Sequence, residues 1–313
     1  MGDAASEAAV SAPVELGPTE PTARLPMWIR TRPPSGDRYP QVRSILAEMK
    51  LGTVCREARC PNLPECWSAG TATLMLLGTD CTRRCSFCAV RTHWPNGHLD
   101  RSEPERVAEA VARWGLRYVV LTQVCRDDLA DGGAAMLSET VRALRGRTPS
   151  TKIELLVGDL GGARASLETV VKARPDVLAH NIETVERISP EVRDRRASYA
   201  GSLALLRQAG EGGPARSVTK SSVMLGLGET ESELYATMSD LRSAGVELLT
   251  LGQYLRPSLS HRPVARYVTP EEFARYGGEA ERLGFAGVEA GPLVRSSYHA
   301  QELFEAALGL RGR

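Results

Sequence analysis

"TLMLLGTDCTRRCSFC", residues 73–88, runs from an apolar stretch straight into three cysteines spaced three and then two residues apart. The segment 73–78 is Leu-rich and too short for an independent helix, so it reads as a buried strand. Cys81, Cys85 and Cys88 follow on the loop beyond it. Three thiolates leave either a tetrahedral metal ion or a cubane iron–sulfur cluster one ligand short. A zinc site would be completed by His93 or His98. A [4Fe–4S] cluster would keep one iron open to a small molecule.

The same strand-then-loop pattern repeats down the chain. Candidate strands are 73–78, 117–124, 152–159, 176–183, 221–228 and 246–253, each β-branched or Leu-rich. Between them lie amphipathic stretches such as "EPERVAEAVARW", with Pro104 near its start, and "TESELYATMSDLRSAG", with a Thr cap and a Gly245 stop. Alternating strands and helices mean parallel strands with right-handed crossovers, in an open doubly wound sheet or an incomplete (β/α)6 barrel. Polar residues gather past the strand ends: Asp127, Asp128, Asp159, Asn181, Glu183, Glu229, Tyr254 and Arg256. In a barrel that rim carries the chemistry. The ends of the chain fall outside the repeat. Residues 1–24 read as a disordered Ala/Pro/Glu tail, 25–70 as an N-terminal extension, 71–268 as the barrel, and 269–313 as a C-terminal extension holding a last strand, a polar turn and a helix.

Composition narrows the setting. The 313 residues carry a formal net charge of +1, so no global field points to nucleic acid or a membrane surface. No apolar run reaches membrane-spanning length, and the N-terminus lacks the basic start and apolar centre of a secretory signal. Six of the seven cysteines fall between positions 55 and 88. In a long chain without a signal sequence, such clustering points to metal binding rather than a disulfide framework, and to a reducing, cytoplasmic location.

The other clustered cysteines are Cys55, Cys60 and Cys66, in "CREARCPNLPEC". The three-two triplet after a first barrel strand resembles the signature of the radical SAM superfamily. The four-five triplet ahead of it resembles the lipoyl synthase family. The likeness continues in order through "CPNLPECW", "GTATLML", "RDDLADGGA", "HNIETV", "TKSSVMLGLGET", "GQYLRPS", "RYVTPEEF" and "GPLVRSSYHA", covering about residues 50 to 300. Intact triplets argue against the alternative of a binding module without catalysis.

The resemblance implies an incomplete (β/α)6 TIM-type barrel with N- and C-terminal extensions. It implies a sulfurtransferase that inserts sulfur at C6 and C8 of an octanoyl chain on a carrier-protein lysine. Two [4Fe–4S] clusters and S-adenosylmethionine (SAM) would be the cofactors. The cluster on Cys81, Cys85 and Cys88 would bind SAM and reduce it to a 5′-deoxyadenosyl radical. The cluster on Cys55, Cys60 and Cys66, capped by Ser297 of "RSSY", would supply the sulfur. Asn181, Glu183, Lys220 and Arg295 are the expected contacts to SAM or to a cluster. The implied partners are octanoylated lipoyl carrier domains, namely 2-oxoacid dehydrogenase E2 subunits and the glycine cleavage H protein, with a ferredoxin- or flavodoxin-type electron donor. Neither nucleic acid nor membrane is expected.

Bland readings stand beside some of these. Lys220 could be a solvated strand end, Glu183 a helix-start acid, and Ser296 and Ser297 caps of the final helix. His180 reads as a packed strand-end histidine. Gly226 and Gly228 allow close backbone approach. The chain also departs from the family. "VGDL" (157–160) stands where the family reads "IPDF", which would loosen the rim there. The loop "THWPNGHLD" is unusual. Cys125 stands where the family has Ala or Asp, and reads as a small apolar thiol with no partner at ligand spacing.

Overall fold

The computed structural model describes residues 25–31, 33–211 and 217–311; the tail expected over 1–24 lies outside them. Eight strands form one sheet in linear order: β1 (Gly52–Thr53), β2 (Thr73–Leu76), β3 (Tyr118–Gln123), β4 (Lys152–Leu156), β5 (Val177–Ala179), β6 (Val218–Leu225), β7 (Leu248–Gln253) and β8 (Gly287–Gly291). From β2 to β8 every pairing is parallel, while β1 runs antiparallel to β2. Most of these strands read as unbroken apolar runs because helices cover the outer face and side chains fill the inner one. The strands predicted from sequence are present, and the sheet continues past residue 268 through β8. The two-residue β1 is an addition from the N-terminal extension.

The helices are α1 (Arg38–Glu48), α2 (Val54–Glu57), α3 (Leu63–Ser68), α4 (Glu103–Trp114), α5 (Ala134–Arg147), α6 (Arg164–Lys172), α7 (Ser189–Val192), α8 (Tyr199–Gly210), α9 (Glu231–Ser243), α10 (Pro270–Arg282) and α11 (Ala300–Arg311). Their ends follow local chemistry. Pro104 sits in the first turn of α4, and Gly115, at φ 68°, ends it in the left-handed region. Thr230 and Thr269 start α9 and α10 with capping boxes closed by Glu233 and Glu272.

Strand β6 begins three residues before the expected position 221. The segment "VTKSS" looks like a loop because it is polar, but its polar side chains are buried. Lys220 and Glu154 are each 1% exposed and pair at 2.8 Å, and the Tyr118 hydroxyl donates to the same carboxylate at 2.6 Å. Below them, α11 closes the floor of the barrel: Leu303, Phe304 and Ala307 pack on Tyr118, Val120, Val177, Val218 and Leu248.

Candidate iron–sulfur and cofactor site

Between β2 and Cys81 the chain turns sharply. Leu77 takes a left-handed φ of 68°, a strained choice for a leucine. Glu103, at the start of α4, holds this turn by accepting from Leu77 N at 2.7 Å and Gly78 N at 3.3 Å. The loop is then fastened on several sides. Thr82 N donates to Cys125 O at 3.0 Å, Ser86 N to Val192 O at 2.8 Å, and Arg262 N to Ser86 O at 2.9 Å. Arg83, inside the cysteine motif, is clamped by two rim carboxylates. It reaches Asp127 at 2.8 Å and binds Asp159 through both terminal nitrogens at 2.6 and 2.7 Å. Such planar two-point pairing fixes direction as well as distance.

The three sulfurs are met by donors. Arg83 N points at Cys81 Sγ at 3.4 Å and Asp194 N at Cys85 Sγ at 3.3 Å, while the Val90 amide serves Cys88. Burial pushes Cys85 up to about 11 and Cys88 up to about 12, and Glu183 adds to both. Cys81 goes the other way, to about 6, because the Cys125 thiol donates to it. Crowded, half-buried thiols with amide donors suit thiolates whose charge a bound metal cluster compensates.

A single zinc ion is a poorer fit. Among the described residues, no three His, Cys, Asp or Glu side chains converge as the ligands of one ion do. His93 and His98 are both exposed. A cubane makes a different demand, because each thiolate takes its own iron.

Facing this loop are Asn181 and Glu183, just past β5. Glu183 adopts a left-handed φ of 72°, and burial raises its carboxyl against the pull of Arg193 and Asn181. Asn181 Oδ1 is buried without a partner. One open acceptor, Asn181 Oδ1, next to the Glu183 carboxylate, matches a ligand rich in donors, such as an amino acid ammonium and ribose hydroxyls. His180 is packed as expected, between Val157 O at 2.9 Å and Ser202 Oγ at 2.8 Å.

The remaining rim residues hold loops. Asp128 pairs with Arg126 at 2.8 Å and accepts from Gly97 N at 2.7 Å, which anchors the "THWPNGHLD" segment. Glu229 accepts from Gly226 N and Leu227 N at 2.6 and 2.9 Å. The close approach at Gly226 is to Gln253 and Arg266 O, within the protein itself. Lys220 does not reach the rim and is not a solvated strand end. Its ammonium is spent on Glu154 in the barrel interior, because a buried amine needs a counter-charge there.

The first triplet lies elsewhere. Cys55 on α2 accepts from the Thr73 amide, beside the β1–β2 edge. Asn62 Nδ2 donates to Leu293 O at 2.5 Å, just past β8. The loop 55–66 thus bridges the two edges of the open sheet. Cys55 and Cys60 both bear on Cys66, which burial pushes up to about 12. Arg295 is half-buried near Cys60, and Tyr298 donates to Glu65 at 3.4 Å and sits near Cys66. Ser297 lies between these two contacts in sequence. It does not occupy the cap of α11. His299 does so, with its carbonyl accepting from Leu303 N at 3.0 Å.

Sequence reasoning missed Arg83, Glu103 and Asp194. The first arginine of "CTRRC" and the rim aspartates were visible signals for Arg83. Glu103 and Asp194 are joined to the loop only by the fold. Cys125, read as a small apolar thiol, is a free cysteine whose carbonyl accepts from Thr82. A cavity of about 280 Å³ adjoins "VGDL", lined by Arg83, Gln123, Cys125, Asp159 and Leu160 among others.

Comparison with known proteins points one way. The radical SAM superfamily profile matches residues 75–241, and that of the N-terminal domain of lipoyl synthase matches residues 2–60. Lipoyl synthase of Thermus thermophilus is 54% identical over 91% of this chain and 88% of its own length. That of Pyrobaculum arsenaticum is 52% identical over 92% and 98%. Among solved structures, methylornithine synthase (PylB) is similar with a TM-score of 0.53 at 15% identity, over 79% of this chain and 73% of that one. HydG, a maturase of the [FeFe]-hydrogenase, has a TM-score of 0.54 at 13% identity, over 75% of this chain and 54% of that one. These two show the partial-barrel fold alone.

Proposed function

The chain belongs to the lipoyl synthase family of the radical SAM superfamily, and from that premise we propose how its residues divide the family's reaction between them. The reaction inserts two sulfur atoms, at C6 and C8 of an octanoyl group held on a lysine of a lipoyl carrier protein. The cofactors are SAM and two [4Fe–4S] clusters, which when bound supply the radical chemistry that breaks an unactivated C–H bond.

Cys81, Cys85 and Cys88 hold the cluster that engages SAM. Asn181, through its open Oδ1, and Glu183, through its carboxylate, accept hydrogen bonds from SAM. Arg83, Asp127 and Asp159 keep the cysteine loop in register and do not touch SAM. Cys55, Cys60 and Cys66 hold the sulfur-donating cluster at the seam of the sheet. Arg295 balances its negative charge, and the Ser297 oxygen caps the iron that no cysteine reaches. A hard oxygen ligand on that iron makes it the easiest to detach, which suits a cluster taken apart to release sulfur. Residues 25–70 and the segment after β8 thus act together as the auxiliary-cluster domain. Lys220 serves the barrel interior and is left out of the SAM site.

The observation that carries this division is the meeting of the 55–66 loop with residues 293–298. A radical SAM barrel alone does not require it. The carriers are the E2 subunits of 2-oxoacid dehydrogenases and the glycine cleavage H protein, in the cytoplasm, with electrons from a ferredoxin or flavodoxin. Among the described residues no helix is long and apolar enough to cross a membrane.

Replacing Cys81, Cys85 and Cys88 together with Ala is expected to leave half the iron and abolish 5′-deoxyadenosine formation. Undiminished deoxyadenosine would reject the assignment. Ser297→Ala is expected to keep SAM cleavage and impair sulfur insertion, measured by the mass of an octanoyl-lysine peptide. Ser297→Cys should give a longer-lived cluster and slower product. Wild-type product yields from both would remove Ser297 from the site.

A further inference from the structure

Gln123 ends β3 with its side-chain amide unused. Its Oε1 is buried, and no group among the described residues donates to it. Buried acceptors are rarely left so, because an unmatched one costs free energy. The amide lines the cavity of about 280 Å³ between the loops after β3 and β4. That is many times the ~30 Å³ share of one water, so the space fits a segment of a larger ligand.

The other polar side chains on this wall are engaged. Arg83 is held by Asp127 and Asp159. Arg126 is held by Asp128 and by the carbonyls of Leu77 and His98. Leu129, Ala130, Leu160 and Ala163 contribute apolar wall. Gly158 makes room for the amide. A Cβ there would lie 3.2 Å from Gln123 Nε2 and 2.9 Å from Cys125 Sγ, so any larger residue, the family's proline included, would crowd both. Gly158 does not take a left-handed φ, so space is what the glycine supplies.

A side-chain amide carries an acceptor and donors together. Its natural match is a second amide, whose N–H reaches Oε1 and whose C=O reaches Nε2. The apolar wall asks for methylenes beside that amide. Octanoyl-lysine has this form, with one secondary amide between the acyl chain and the lysine stem. Arg83 stands between Cys81 and Cys85, so the cavity borders the cysteine loop.

We propose that this cavity is a subsite for a secondary amide, the one joining the octanoyl chain to the carrier lysine, and that Gln123 is the residue that recognises it. This rests on the substrate reading above and adds the group that selects it. An octanoyl ester or thioester has no N–H and leaves Oε1 unpaired. The site thus favours a chain already attached through nitrogen.

The test is equilibrium binding of fluorescein-labelled peptides to the reconstituted full chain, by anisotropy, with SAM present and no reductant. One probe is a short peptide with a single octanoyl-lysine. The other is its ester analogue, with oxygen in place of the linkage N–H. The wild type is expected to bind the amide about tenfold more tightly, the worth of one hydrogen bond whose loss strands a buried acceptor. Gln123→Leu should erase that ratio at unchanged iron content. Gly158→Ala, which crowds the amide without removing it, should shrink the ratio. Equal amide and ester binding by the wild type would overturn the proposal. If Gln123→Leu then weakened both alike, the site would take a main-chain peptide of the carrier instead. A full ratio kept in Gln123→Leu would also overturn it, and weaker SAM binding in that variant would then give the cavity to SAM. Failure of the underlying reading is separate: the wild type would bind neither acylated peptide better than one with unmodified lysine.

Discussion

His180 shows how a single side chain can be fixed by what surrounds it. Its Nδ1 faces a carbonyl, so that nitrogen carries the proton. Its Nε2 faces Ser202 Oγ, which in turn accepts from Arg193 at 2.9 Å. The serine hydroxyl therefore points its hydrogen at Nε2, and the ring is neutral. A second proton would have to enter a buried site already facing Arg193. Burial, with that charge, pushes His180 from 6.5 down to about 4. The unfolded chain takes up the proton first as pH falls, so stability is complete above 6.5 and drains away towards 4. At one pKa unit per 1.36 kcal/mol, the whole loss is about 3 kcal/mol. Imidazole NMR on histidine-labelled protein should find that the His180 resonance does not titrate above pH 5. His180→Gln should remove that resonance. A His180 midpoint near 6.5 would mean that the Arg193–Ser202–His180 chain is not formed.

At the scale of elements, the ends of helices were legible because their signals are local. Thr230, Thr269, Pro104 and Gly115 act within a turn of where they sit. The two cysteine triplets were legible for the same reason, since their spacing is written along the chain. Lys220 was not. A lysine in a strand is neutralised only if another strand brings a carboxylate, and Glu154 lies 66 residues away. Strand β6 offers a direct check. Lys220→Met leaves Glu154 buried with only the Tyr118 hydroxyl for company, and should cost about 3–5 kcal/mol in urea unfolding of the reconstituted protein. Adding Glu154→Leu to Lys220→Met should recover part of that loss, since removing both charges removes the desolvation debt. A double variant less stable than the single would mean that the pair does more than neutralise itself.

For the molecule as a whole, the sheet is open, and its two edges are joined by the chain's two ends. The 55–66 loop lies across the seam, and residues 293–298 hold it from the far side. That short segment hangs between β8 and α11, so the position of α11 sets its tension. α11 is seated by its apolar face on the barrel floor, and Gly287 lets it come close. A Cβ on Gly287 would stand 2.9 Å from Leu303 Cδ1 and 2.9 Å from Leu248 Cδ2. Leu303→Ala removes most of a buried side chain and should cost about 2–5 kcal/mol. Nothing in that contact touches the Cys81–Cys85–Cys88 loop, which is fastened from β3, α7 and the 256–262 turn instead. The loss should therefore fall unevenly. After gel filtration of the reconstituted Leu303→Ala protein, iron is expected to drop towards half while 5′-deoxyadenosine formation persists and lipoyl product falls with the iron. Gly287→Ala, which lifts α11 from above, should give the same pattern. Equal loss of both clusters would show that the floor supports the whole barrel alike. Full retention of both would show that the 293–298 segment holds its place without α11.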